Sequence, residues 1–94
     1  MANSYYGNPW ILDTAGVIST TPVIVTKMEW QPNAASDSLE VRDNASKAVV
    51  WKRTSISAAP AGIEVWDAPA DGFYMNGFDL ESVGSSCTLY VWLR

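Results

Sequence analysis

The 94-residue chain carries ten acidic and six basic residues, no histidine and one cysteine, for a formal charge of −4 at pH 7. Its basic residues are scattered, so the clustered footprint that binds a phosphate backbone is missing and nucleic acid is excluded as an expected partner. The lack of histidine removes the commonest general base and metal ligand, and with it the usual partner of a serine or cysteine nucleophile; the chain is expected to be non-enzymatic and to need no cofactor.

The N-terminal residues MANSYYGNP are small and polar apart from two tyrosines, and lack strand alternation; residues 1–9 read as an extended arm and 10–94 as one domain. No apolar run reaches the roughly 18 residues of a membrane helix, and the first residues lack the basic and apolar regions of a signal peptide, so a reducing cytosol is the expected site of synthesis. From Trp10 onward, β-branched and aromatic residues come in short runs broken by turn chemistry, the pattern of an all-β chain.

WILD (10–13) and VIST (17–20) flank Thr14-Ala15-Gly16, with glycine where a positive φ is wanted. PVIVTKMEWQ (22–31) opens on a proline at a strand start, and strict alternation puts Ile24, Met28 and Trp30 on one face. SLEVRD (38–43) and AVVWKR (48–53) flank Asn44-Ala45-Ser46-Lys47 as a hairpin, with Leu39 and Val41 inside, Glu40 and Arg42 outside, and Val49 and Trp51 sharing an apolar face. Asn44-Ala45-Ser46 also matches a glycosylation acceptor, but turn formation accounts for it.

GIEVWDA (62–68) follows the loop SAAPAG, and FYMNGFDLES (73–82) is either one strand kinked at Gly77 or two short strands. The last run, TLYVWLR (88–94), puts Leu89, Val91 and Leu93 on one face with Cys87, a small buried thiol, and Tyr90 and Trp92 on the other. Seven or eight short strands in a chain this size predict a small two-sheet β-sandwich, of jelly-roll or immunoglobulin-like type.

Asp79 and Glu81, two apart on one strand, and Asp67 with Asp71 are the carboxylates that pairing could recruit for a metal or for acid chemistry; solvated outer-face positions beside turns are the better explanation. The aromatic residues are more informative. Tyr90, Trp92 and Trp66 project away from the expected core, and Tyr5, Tyr6 and Trp10 give the arm apolar anchors. A ring worth some 150–250 Å² of buried surface is costly to leave wet, so these six residues are the candidate protein interface.

The stretches WILDTAGVIS (10–19), WQPNAASDSLEVRDN (30–44) leading into VVW (49–51), and NGFDL followed by LYVWL (89–93) resemble small virion-associated β-sandwich proteins of tailed bacteriophages. The resemblance implies a capsid decoration or cement protein on the exterior of the phage head, made in the bacterial cytoplasm. It would be a homotrimer bound to the major capsid protein, with Tyr90 and Trp92 in the matching last strand. A tail, neck or head-fibre component is the alternative within the virion, and a carbohydrate-binding module that stacks sugars on Trp66 or Trp92 is the alternative from another class.

Overall fold

The computed structural model describes residues 3–4 and 7–94; Tyr5 and Tyr6 of the expected interface lie outside the described residues. The described chain is all-β and contains nine strands: β1 (Trp10–Leu12), β2 (Gly16–Ser19), β3 (Val23–Gln31), β4 (Ser38–Asp43), β5 (Val49–Thr54), β6 (Glu64–Asp67), β7 (Phe73–Met75), β8 (Phe78–Ser82) and β9 (Thr88–Leu93). No described helix is long and apolar enough to cross a membrane.

Two antiparallel sheets face each other. The first runs β1-β9-β3-β6, with β7 pairing the opening residues of β3; the second runs β2-β8-β4-β5. The pairs β4–β5, β3–β6, β2–β8 and β1–β9 are nested about one hairpin, as if a long antiparallel ribbon had been rolled up. That is jelly-roll wrapping, whereas an immunoglobulin sandwich keeps its first two strands in one sheet. Thr14 and Ala15 therefore carry the chain from one sheet to the other instead of closing a hairpin.

The nine strands exceed the expected seven or eight because residues 73–82 form two strands in different sheets. The crossing falls at Asn76-Gly77. Gly77 has φ +91°, and a Cβ there would sit 2.6 Å from the Ser19 carbonyl oxygen and 2.8 Å from the Asn44 Cβ, so only glycine fits without displacing backbone. Asn44 and Ala45 donate backbone N–H bonds to the Gly77 and Asn76 carbonyls, which ties the β4–β5 hairpin loop to this crossing.

Between the sheets lie Leu12, Val25, Met28, Trp30, Leu39, Val41, Met75, Phe78, Leu80, Leu89 and Val91, all fully buried. Trp30 satisfies its indole N–H with the Val83 carbonyl at 2.9 Å, as a buried indole must. Cys87 is buried as expected: its Sγ donates to Asp37 Oδ2 at 3.1 Å and accepts from the Asn33 N–H at 3.2 Å. Burial, together with the Asp37 carboxylate, pushes this thiol up to about 11.

Two register shifts rearrange the faces expected from strict alternation. In β3 the pairing with β9 slips between Val25 and Lys27, so Thr26 is the extra residue. Val23 and Val25 point inward before it, Met28 and Trp30 after it, and Ile24 is turned to the outer face instead of sharing theirs. In β5 the pairing slips between Val41 and Arg42, which leaves Val49 half exposed while Val50 and Trp51 both pack against the core.

The described part of the arm is held by its own domain. Ser4 and Ile11 exchange backbone bonds at 2.8 and 3.0 Å. Asn3 Oδ1 accepts from the Asp13 and Thr14 N–H groups, and Asn8 Oδ1 and Nδ2 bond the N–H and carbonyl of Leu93. Side-chain amides thus stand in for a neighbouring strand along this edge of the first sheet.

Candidate interaction surface

Register places every side chain of the first sheet on one of two faces. The row Trp10–Val91–Met28–Trp66 points inward, where Val91 and Met28 are fully buried. Trp66 therefore faces the core, contrary to the outward reading of its strand: its ring meets Phe73 edge-to-face at 5.7 Å and packs against the core. Its alternation with Val65 is as expected, but Val65 is the exposed partner of the two, at 49%. Trp10 likewise sits in β1 with its ring edge-on to Phe78 at 5.8 Å, as part of the sandwich and not of the arm.

The outer face of this sheet carries Ile11, Tyr90, Glu29 and Val65 in one cross-strand row and Trp92, Lys27 and Asp67 in the next. Ile24 and Tyr74 follow beyond the bulge. Tyr90 and Trp92 point outward, as their strand position requires, and are half-buried. Their ring centroids are 6.2 Å apart with planes inclined at 34°, and the Lys27 ammonium lies 5.0 Å from the centre of the Trp92 ring. Tyr74 is 58% exposed at the other end of the same face. Gln31 donates to Glu29 at 2.9 Å, a polar border on the row next to Tyr90.

Sequence reasoning missed Ile11, Ile24, Val65 and Tyr74, which extend the patch from β9 across four further strands. The signal for Tyr74 was its alternation with Phe73 and Met75; Ile24 carried none, because the bulge that turns it outward leaves no mark on the hydrophobic pattern.

The carboxylates do not gather. Asp79 is 5% exposed and pairs with Lys47 Nζ at 3.2 Å, while Glu81 falls in a register shift of β8 and is exposed to solvent. Among the described residues no group of three or more histidine, cysteine, aspartate or glutamate side chains is placed to hold a metal ion. Asn44 serves the hairpin, its side-chain oxygen accepting from Lys47 Nζ at 3.0 Å. Asp43 accepts from the N–H groups of Asn76, Ala45 and Ser46, bonds that hold its carboxyl below the usual carboxylate range.

What the geometry defines is a small jelly-roll sandwich with one aromatic outer face. Compared with known proteins, the chain matches no family model, no curated protein and no solved structure.

Proposed function

We propose that this protein is a non-enzymatic structural subunit that docks onto a larger protein assembly through the outer face of its first sheet. The observation that carries this reading is the patch formed by Ile11, Ile24, Val65, Tyr74, Tyr90 and Trp92, spread over five strands of one face. Burying the wet part of Ile11, Val65 and Tyr74 contributes about 1–2 kcal/mol each at ~25 cal/mol per Å². A rigid sheet loses little conformational freedom on docking, so most of that gain is kept.

From the resemblance to small virion proteins of tailed bacteriophages we take this assembly to be the exterior of the phage head, with the protein a decoration subunit, itself a homotrimer, that cements neighbouring copies of the major capsid protein. A net charge of −4 supports an outer location, because packaged DNA repels an acidic protein. Heads carrying the protein should resist heat and chelation better than heads without it; equal resistance would remove the cementing role. Labelled protein found by electron microscopy on tails, necks or fibres would move the subunit elsewhere in the virion.

A second reading rests on one specific observation. The Tyr90–Trp92 pair, with Glu29 and Gln31 beside it, offers two tilted rings and hydrogen-bonding groups on one face, an arrangement able to stack a sugar. A glycan array with hits that Trp92→Ala abolishes would favour a carbohydrate-binding module over capsid docking.

A further inference from the structure

The crossing from β7 to β8 carries a dipeptide whose chemistry the fold has to contain. Asparagine stands at positions 3, 8, 33, 44 and 76, and only Asn76 is followed by glycine. A bare glycine lets its backbone nitrogen reach the preceding side-chain amide, so asparagine before glycine is the setting in which this thermolabile residue reacts most readily. Asn76 is exposed to water, while Met75 before it and Gly77 and Phe78 after it are buried. The reaction needs nothing but water. The Gly77 nitrogen gives its proton to solvent and attacks Asn76 Cγ; the side-chain nitrogen leaves as ammonia, and a cyclic imide remains. Water then opens the ring, at Cγ to leave aspartate, or at the main-chain carbonyl to leave isoaspartate, whose backbone runs through Cβ and Cγ and is one carbon longer.

Against this chemistry the structure sets a clamp. The Asn76 N–H donates to Asp43 Oδ2 at 2.9 Å, the Asn76 carbonyl accepts from the Ala45 N–H at 3.1 Å, and the Gly77 carbonyl accepts from the Asn44 N–H at 3.4 Å. All three partners belong to the turn of the β4–β5 hairpin, and none of these bonds uses the Gly77 N–H, the group that has to attack. Ring closure eclipses the Gly77 nitrogen with the Asn76 Cβ, which takes the Asn76 backbone outside the strand and helix regions. The peptide between Asn76 and Gly77 must therefore turn. With both carbonyls held by the hairpin turn, and with Ser19 and Asn44 crowding Gly77, it turns only when the β4–β5 turn lifts away.

We propose that Asn76 is a self-modification site guarded by the β4–β5 turn, converting to aspartate and isoaspartate at a rate set by how often that turn leaves the crossing. Conversion runs one way. An isoaspartate link is one carbon too long for a crossing where even a Cβ on Gly77 would lie 2.6 Å from the Ser19 carbonyl oxygen. The new carboxylate also stands on the residue that the Asp43 carboxylate holds, where like charges repel. The turn then no longer closes over the crossing, and β7 and β8, one in each sheet, lose their fixed connection. The inference concerns the passage between the sheets and holds whatever the Tyr90–Trp92 face binds.

The test is peptide mass mapping after the full chain has been held at one mildly alkaline pH. Cleavage after Arg53 releases residues 54–94, in which Asn76 is the only side-chain amide, so a gain of one mass unit there reports this site alone. Asp71-Gly72 can pass through the same ring, but without a change of mass. Native wild type should convert at least about tenfold more slowly than the same chain unfolded in urea. Asp43→Ala, with unchanged circular dichroism, should convert several-fold faster than native wild type and at the same rate as wild type once both are unfolded. If Asp43→Ala does not fold, wild type in urea below its unfolding transition decides: lifting one turn exposes little surface, so the rate should hardly rise with urea. Native wild type that converts as fast as the unfolded chain, an unfolded chain that does not convert, a folded Asp43→Ala no faster than wild type, or a rate that climbs with the full unfolding slope from zero urea would each overturn the proposal.

Discussion

The outer faces of the two sheets have solved the same problem in opposite ways. Across the second sheet, charges answer charges: Arg42 and Lys52 both reach Glu40, and Lys47 reaches the nearly buried Asp79. Only Val17 and Val49, on its two edge strands, are exposed large hydrophobics there. The first sheet places aromatic and aliphatic side chains at the equivalent outward positions, with Lys27 laid over the Trp92 ring. One face is finished against water; the other leaves Ile11, Val65 and Tyr74 exposed to it. The difference shows that burial inside the sandwich and exposure outside it were set separately, face by face.

Breaking the interior should have the largest effect and should spare neither face. Trp30→Ala removes a fully buried ring and its bond to Val83, and is expected to cost about 3–5 kcal/mol in urea or thermal unfolding. Gly77→Ala is expected to cost roughly 2–3 kcal/mol, from a strained positive φ and the collision with Ser19 and Asn44. On the second sheet, Asp79→Ala removes a nearly buried carboxylate and its pair with Lys47, whose half-exposed ammonium keeps water and Asn44, for about 1 kcal/mol of stability with no loss of docking. Tyr90→Ala/Trp92→Ala inverts that pattern, with about 1 kcal/mol or less of stability lost alongside most of the docking.

The smallest effect sharpens the comparison through pH. Asp43 is held below the usual carboxylate range chiefly by the Asn76 N–H, and Asp37 chiefly by the Cys87 thiol. Each therefore adds stability that is fully present above the ordinary carboxylate value near pH 4 and is lost as pH falls through the lowered folded value. Urea midpoints followed from pH 5 downward should decline, and Asp43→Asn should flatten part of that decline.

Much of the fold was legible because local chemistry and global wrapping agree. The β4–β5 hairpin is written in Asn44-Ala45-Ser46-Lys47 and the flanking alternation, and the outward direction of Tyr90 and Trp92 follows from an unbroken β9. The rest was hidden by bulges and partners that lie far apart in sequence. One extra residue at Thr26 reverses the phase of β3, so Ile24 moves to the outer face. Trp66 and Val65 alternate as read, but which of them faces the core is decided by register with Met28, some forty residues away. The arm is tied down by Asn3 and Asn8 side chains, which hydrophobic patterning does not register.

Docking by the outer face of the first sheet is measured most directly by co-sedimentation of purified protein with undecorated phage heads, the assembly proposed above. Tyr90→Ala/Trp92→Ala should remain folded and stay in the supernatant, while Lys52→Ala on the opposite face should pellet like wild type. A folded double variant that pellets as well as wild type would contradict the account.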